Sequence, residues 1–323
     1  MAYKSMPGGH EPWQDGPVQP AIELRHLRYF TAVVEERTFT AAAERLRMTQ
    51  PALSRAIRAL EKEFGSALLR RGRAGVELTV AGEVLFREAK SLDESVTAAF
   101  TRARRAAESG RQLRVSARGC DVATLMQLVA GYRECGVAPM VADRSVQLTE
   151  VRQGAVDVTL VRAPFDRRGL DSEHLRTDRR VLLVPRTHRL ARCTTVDRRE
   201  LDVEAFPVWS NASNAELSWW AGAESGDRTW RRGPVVHDSA QFLAAVRLGQ
   251  AVALLPETML GEASLSGIAV VEVSGVSGSE LHLAWAKDAT SPDLAAFVRH
   301  ATNPAHRAAL TSPMVREGNH QAS

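Results

Sequence analysis

The 323-residue chain has only three cysteines, Cys120, Cys135 and Cys193, with no CxxC pair and no Cys/His spacing that suits zinc. Thiols so far apart exclude a disulfide framework and a structural zinc site, and reduced cysteines are the expectation. Long apolar runs are missing too: nowhere do about eighteen uncharged apolar residues follow one another, the length a membrane helix needs. The first twenty residues hold no apolar stretch of the secretory-signal kind, so a cytoplasmic location is expected. Charge of one sign is also lacking, since 42 Lys and Arg face 38 Asp and Glu for a net +4, too small to name a partner. The chain has no GxGxxG after a strand, no P-loop, no GxSxG elbow and no HExxH, so an enzyme reading has no motif to stand on. Its nine histidines show no metal-ligand spacing, and neither a metal nor a cofactor is expected.

What the chain does have is an ordinary globular balance, 44% hydrophobic and 25% charged, over a length that suits two or three folding units. Its charge is unevenly placed. Residues 22–79 hold eleven Arg or Lys against seven acids, an excess equal to that of the whole chain. The same segment has helical periodicity: Leu27, Phe30 and Val34 share one face, Phe39, Ala42, Ala43 and Leu46 a second, and Leu53, Ile57, Leu60 and Phe64 a third. Thr49 stands where an N-cap is wanted, Pro51 falls in the first turn, and Gly65 ends the third helix. Leu68 to Leu78, with Gly72 and Gly75, reads as a small basic hairpin. From Thr79 to about Glu108 one helix is predicted, with Leu85, Ala89, Leu92, Val96, Ala99, Ala103 and Ala106 at the alternating four and three spacing of a coiled-coil seam. Such a seam needs a partner helix, or else packs on its own domain.

Beyond Gly110, short β-branched runs alternate with helical stretches, the pattern of an α/β domain with a largely parallel sheet. Strands are predicted at 113–117, 156–161, 181–184, 235–237, 251–255, 268–273 and 281–286, with helices at 122–134, 146–153, 214–221, 240–248 and 292–300. Residues 1–21 and 302–323 lack periodicity and are expected to be mobile tails.

Three helices and a hairpin have the layout of a winged helix-turn-helix, whose third helix enters the DNA major groove. Gln50, Ser54, Arg55 and Arg58 project from the face opposite the core, and Gln and Arg are the side chains that pair bidentately with adenine and guanine. Arg70, Arg71 and Arg73 lie on the wing, where guanidinium groups neutralise phosphate. The run TFTAAAERLRMTQPALSRAIRALEKEFG, within residues 24–85, resembles the DNA-binding module of LysR-type transcriptional regulators. VRQGAVDVTLV at 151–161 and LGQAVALLPE at 248–257 resemble two Gly-containing elements of that family's ligand-binding domain, so the resemblance spans residues 22 to about 300.

The resemblance implies a winged helix-turn-helix at 22–79, a linker and dimerisation helix at 80–109, and a two-subdomain domain at 110–301 like periplasmic binding proteins. The first subdomain would take about 110–163 and 266–301, and the second about 164–265. It implies a DNA-binding regulator responding to a small-molecule effector, with Gln50, Pro51, Ser54 and Arg55 at the bases and a homotetramer built as a dimer of dimers. The effector loops it matches carry Arg118, Gly119, Cys120, Asp121, Arg162, Ser210, Asn211, Ser213, His237 and Asp238. Two features depart from the family: Arg-Gly-Cys-Asp replaces a small residue and a hydroxyl after the first strand, and 135–146 is short. Asp121 is alternatively only the N-cap of its helix. Cys120 beside Arg118 is either a thiolate sensor or a small buried residue. Trp209, Trp219, Trp220 and Trp230 line a cleft or a subunit interface, or else pack in the core. A cytoplasmic enzyme or a small-molecule binding protein built on the α/β domain is the alternative reading.

Overall fold

The computed structural model describes residues 22–72, 75–109, 112–223, 229–262 and 265–311. The chain divides into two compact units with the break after Val96. In the first, α1 (Leu24–Glu36), α2 (Phe39–Arg45) and α3 (Gln50–Phe64) precede an antiparallel hairpin of β1 (Leu69–Gly72) and β2 (Gly75–Leu78), and α4 (Val80–Ser109) begins. Phe30, Val33, Ala42, Leu53, Ile57 and Leu68 form its buried core. Phe64, expected on that core face, is 45% exposed, because it is the last helical residue, where Gly65 turns the chain away in a left-handed conformation. Thr49 occupies the N-cap position of α3 without a capping hydrogen bond from its side chain, whereas Thr38 caps α2 by accepting the Ala41 N–H. The wing is tied to the helices at Gly75, where a Cβ would lie 2.5 Å from the Arg37 carbonyl that accepts the Val76 N–H. Only glycine permits that approach.

The second unit begins in the later part of α4 and contains two sheets that the chain visits in turn. The first has the order β4-β3-β5-β13-β6, from β3 (Gln112–Ala117), β4 (Gly136–Val141), β5 (Val158–Arg162), β6 (Leu170–Asp178) and β13 (Ser279–Ala286). β3 runs parallel to β4 and β5, while β13 is antiparallel to β5 and β6, so the sheet is mixed rather than largely parallel. Its core, including Val115, Leu160, Leu283 and Phe297, is covered by α5 (Val122–Ala130), α9 (Pro292–Thr302) and α10 (Pro304–Thr311). The second sheet has the order β11-β7-β12-β8, from β7 (Arg180–Pro185), β8 (Thr195–Asp197), β11 (Ala253–Pro256) and β12 (Ile268–Ser274). β9 (Ala205–Trp209) and β10 (Arg231–Val236) form a parallel pair beside it, with α7 (Asn214–Trp220) and α8 (Ser239–Arg247). Completing the set, α6 (Gln147–Arg152) precedes β5.

These pairings correct three sequence expectations. The chain leaves the first sheet after Asp178 and returns at Ser279, so 170–178 belongs to the first subdomain and 268–274 to the second, later than the boundaries at 163 and 266. Residues 304–311 are helical and bury Leu310, so the expected tail from 302 holds a helix; residues 312–323 and 1–21 lie outside the described residues. Four strands, β4, β6, β8 and β9, were not anticipated. β4, β6 and β8 lie at sheet edges, β4 and β9 contain proline, and β6 has only two apolar residues, Leu170 and Leu175. Edge strands carry the weakest apolar signal.

The Gly-x-x-Asp element has a mechanical role. Gly154 has φ +69° and a Cβ there would stand 2.9 Å from the Ala98 carbonyl, so glycine lets α4 close on the domain. Asp157 receives a two-pronged contact from Arg105 of α4, at 3.0 and 2.8 Å, and also accepts the Arg114 N–H at 2.8 Å. Asp157→Ala strands the largely buried Arg105 charge. The expected cost is about 2–4 kcal/mol, slightly under that of a fully buried pair, read as a lower midpoint in urea unfolding.

Candidate functional site

On the first unit, α3 buries Leu53, Ile57 and Leu60 and turns Gln50, Pro51, Arg55 and Arg58 to solvent, with Ser54 half-buried between them. The Arg58 guanidinium folds back to donate to the Ser54 carbonyl at 3.2 Å and to its hydroxyl at 3.3 Å, while Gln50 and Arg55 are exposed on the same face. On the wing, Arg70 pairs with Glu77 at 3.2 Å across the hairpin. Arg71 lies on β1 with its side chain outside the described residues, and Arg73 lies outside them altogether.

In the second unit a cavity of about 370 Å³ opens between the two subdomains. One wall is built from the loops leaving the C-terminal ends of the parallel strands β3 and β4, which bring Arg118, Gly119, Cys120, Asp143 and Arg144. The other follows the C-terminal ends of the parallel pair β9 and β10, with Trp209, His237, Asp238 and Ser239, backed by Trp220 and Phe242. Ligands commonly bind outside the carboxyl ends of parallel strands, where loops and helix starts converge. Trp209 stacks on Phe242, with ring centroids 5.2 Å apart, so two of the four tryptophans of this subdomain line the cavity with that stack. Trp219 instead faces the Arg180 guanidinium at 4.2 Å, and Trp230 lies near Arg232.

The two arginines of the cavity are held differently. Arg118 Nε donates to the Gln147 side-chain oxygen at 3.0 Å, and Gln147 is itself buried and donates to Thr159 Oγ1 and the Leu160 carbonyl. Arg144 reaches α7 of the second subdomain, where it pairs at the margin of the cavity with Glu216 at 2.8 Å, and it lies 5.4 Å from the Trp209 ring of the opposite wall. Burial, and secondarily the Arg118 charge, bring its pKa down to about 10. It remains cationic at neutral pH. The start of α8 is already capped, since Asp238 accepts the Gln241 N–H at 2.8 Å. The positive charge of the cavity is therefore carried by the two guanidinium groups, beside the carboxylates of Asp143 and Asp238.

The remaining expected residues fall elsewhere. Arg162 is not in the cavity wall: buried beneath it, it binds Asp121 and Asp178, each at 2.7 Å. Asp121 makes no cap contact with its helix, because its carboxylate is spent on Arg162. Ser210 donates its N–H to the Val236 carbonyl, Ser213 caps α7, and Asn211 is exposed; none of the three reaches the cavity. Cys120 does line it, yet burial and the Asp121 carboxylate push its thiol up to about 12, against the lowered value expected from Arg118. The sequence reading missed Asp143 and Arg144, since Pro139 hid the strand that delivers them. Among the described residues no group of three or more His, Cys, Asp or Glu is arranged to hold a metal ion, and no helix is long and apolar enough to cross a membrane.

Residues 24–83 match the model of the bacterial regulatory helix-turn-helix protein, lysR family, and residues 122–304 match that of the LysR substrate binding domain. The chain belongs to the LysR family. It is 30% identical over 290 residues to the Hca operon transcriptional activator HcaR of Escherichia coli (strain K12), covering 86% of this chain and 96% of that protein. It is 28% identical to the HTH-type transcriptional regulator TcbR of Pseudomonas sp. (strain P51), covering 88% of this chain and 99% of TcbR. The crystal structure of full-length BenM covers 90% of this chain and 99% of BenM at 22% identity and a TM-score of 0.50, a likeness of fold. As a LysR-family protein the chain is a DNA-binding transcriptional regulator with an effector-binding domain, not an enzyme.

The thiol environments give a direct check. At pH 8, iodoacetamide is expected to label the exposed Cys193 readily and Cys120 at least ~10-fold more slowly, because a raised pKa leaves little thiolate. Peptide mass mapping over time reads both rates, and equal labelling would contradict the raised pKa of Cys120.

Proposed function

We propose that this regulator reads its operator with the exposed face of α3 and takes a small anionic effector with an apolar, planar body in the cleft of its second unit. The observation that carries the effector reading is the cavity itself, which sets two guanidinium groups against a wall of tryptophan and phenylalanine. Arginine supplies planar two-pronged recognition of a carboxylate, and stacked aromatic rings favour a flat apolar partner. Arg118, Gly119, Cys120, Asp143 and Arg144 would meet the ligand from one side, and Trp209, His237, Asp238, Ser239 and Phe242 from the other. Arg162 and Asp121 would act from beneath as supports.

Gln50 and Arg55 would contact base edges, with Pro51 and Ser54 alongside, while Arg58, Arg70, Arg71 and Arg73 would meet the phosphate backbone. Two copies would pair through α4, where Leu92 is 47% and Phe100 75% exposed, apolar surface that a lone helix would leave in water. A dimer places two α3 helices on a two-fold site, and a dimer of dimers would extend this to a homotetramer. Ligand in the cleft would favour one arrangement of the assembly over another, to the extent that it binds that arrangement more tightly. A cytoplasmic location follows from the same reading.

Fluorescence anisotropy on DNA from upstream of the protein's own gene tests the DNA side. At about 0.15 M salt, that duplex is expected to bind at least ~10³-fold more tightly than a scrambled one. Arg55→Ala is expected to cost about 1–3 kcal/mol and to relax sequence choice, whereas Arg70→Ala weakens all duplexes alike and lowers the salt slope by about one. Unchanged discrimination in Arg55→Ala would contradict the assignment of α3.

A further inference from the structure

We propose that Glu216 is a built-in competitor for the anion site of the cleft: it occupies the Arg144 guanidinium in place of an effector carboxylate, and an effector binds by displacing it. The inference rests on the cleft being the effector site, and it names the residue that sets affinity there.

Arg144 leaves the loop after β4, in the first subdomain, and its partner stands on α7, in the second. The pair meets at 2.8 Å, with side chains 17% and 23% exposed, so the contact is neither solvated freely nor sealed. The two ends are not equally committed. Glu216 has a second set of bonds that does not involve Arg144: its Oε2 accepts the Ser213 N–H at 2.9 Å and the Ser213 hydroxyl at 3.1 Å, while its own N–H donates to Ser213 Oγ. This capping box keeps the carboxylate in place and satisfied whether or not Arg144 remains. Arg144 has no other carboxylate partner among the described residues, but it stays beside two indole rings, at 5.4 and 5.9 Å. Its charge is thus positioned by the rings and balanced by Glu216, and the balancing group can be exchanged.

A carboxylate on a flat ring matches both parts of that environment, its oxygens replacing Glu216 Oε1 and its ring meeting the aromatic wall. Arg118 leaves room for such an anion. Its guanidinium is held only by the neutral Gln147 amide, and no carboxylate lies within ion-pair distance of it among the described residues. Exchange of Glu216 for ligand also unties the one wall from the other at this point. Occupancy of the cavity is thereby coupled to the relation between the two subdomains.

The test uses the full-length wild type, Glu216→Gln, Arg144→Gln, the double variant of these two and Arg118→Gln, titrated calorimetrically with benzoate and 2-naphthoate and with the matching neutral amides, while tryptophan fluorescence is recorded. Glutamine preserves the capping box, so Glu216→Gln removes the charge and keeps the helix start. Glu216→Gln is expected to bind the carboxylates roughly tenfold more tightly than wild type, about 1.4 kcal/mol, with the amides unchanged. Arg144→Gln is expected to weaken carboxylate binding at least tenfold, as single and as double variant. Carboxylate affinity in Glu216→Gln equal to or below that of wild type overturns the proposal, as does an equal gain for the amides or an absence of binding in every variant. Binding that quenches the tryptophans and requires Arg118 but ignores Glu216 and Arg144 overturns the competition while the cleft stands. Binding that ignores Arg118 and Arg144 alike and leaves the fluorescence unmoved removes the cleft reading as well.

Discussion

The Arg162 guanidinium, 2% exposed, is the charge around which the ligand-binding domain is assembled. A cation so deeply buried is stable only if it is paired and its N–H groups are satisfied. Asp121 and Asp178 supply the pairing at 2.7 Å each, Ser279 accepts a third bond, and Arg176 lies 2.9 Å from the far oxygen of Asp178. Two arginines and two aspartates thus balance. They come from three places in the chain: Asp121 from the loop after β3, Arg162 from the end of β5, and Arg176 and Asp178 from the stretch of β6 where the chain crosses between sheets. Thr258 of the second subdomain donates to Asp178 at 2.9 Å, so the cluster also reaches across the divide. The loop that presents Arg118 and Cys120 is thereby tied to the end of β5.

From that cluster the division of labour in the cleft follows. Charges that are fully satisfied below cannot respond to a ligand without large cost, whereas those at the walls are held by partial or exchangeable contacts. Arg118 leans on an amide and Arg144 on a carboxylate that has other bonds. The linker is treated similarly at its own end: Arg105 of α4 is clamped on Asp157, and Gly154 permits the helix to approach. The cavity and the attachment of α4 therefore use different side chains of one domain, joined through strands β3 and β5. This is the architecture a ligand-responsive regulator needs, a rigid base with adjustable walls.

Much of this was legible in the sequence, and the reasons are specific. Leu53, Ile57 and Leu60 repeat at helical spacing because they face a core, and Gly65 ends their helix because a left-handed residue is needed there. Asp157 and Gly154 stood out as a motif before their contacts with α4 were visible. The cleft was harder. The sequence puts Arg118 and Cys120 after the first strand, where they line the cavity, but it does not show that Arg162 is buried, because a loop position says nothing about depth. Arg144 was invisible because its strand is an edge strand interrupted by Pro139, and neither periodicity nor apolar content marks such a segment. Trp220 and Phe242 share the ordinary spacing of core residues, and only the folded chain separates an aromatic that lines a cavity from one that fills a core.

Hydrogen exchange of the full-length protein, with and without saturating 2-naphthoate, measures directly whether one ligand touches both walls of this cavity. Slowed exchange is expected at three separated segments together, Arg118–Asp121, Asp143–Arg144 and His237–Phe242, with little change at the buried amides of β5. Protection confined to one wall, or lying outside these segments, would contradict that contact.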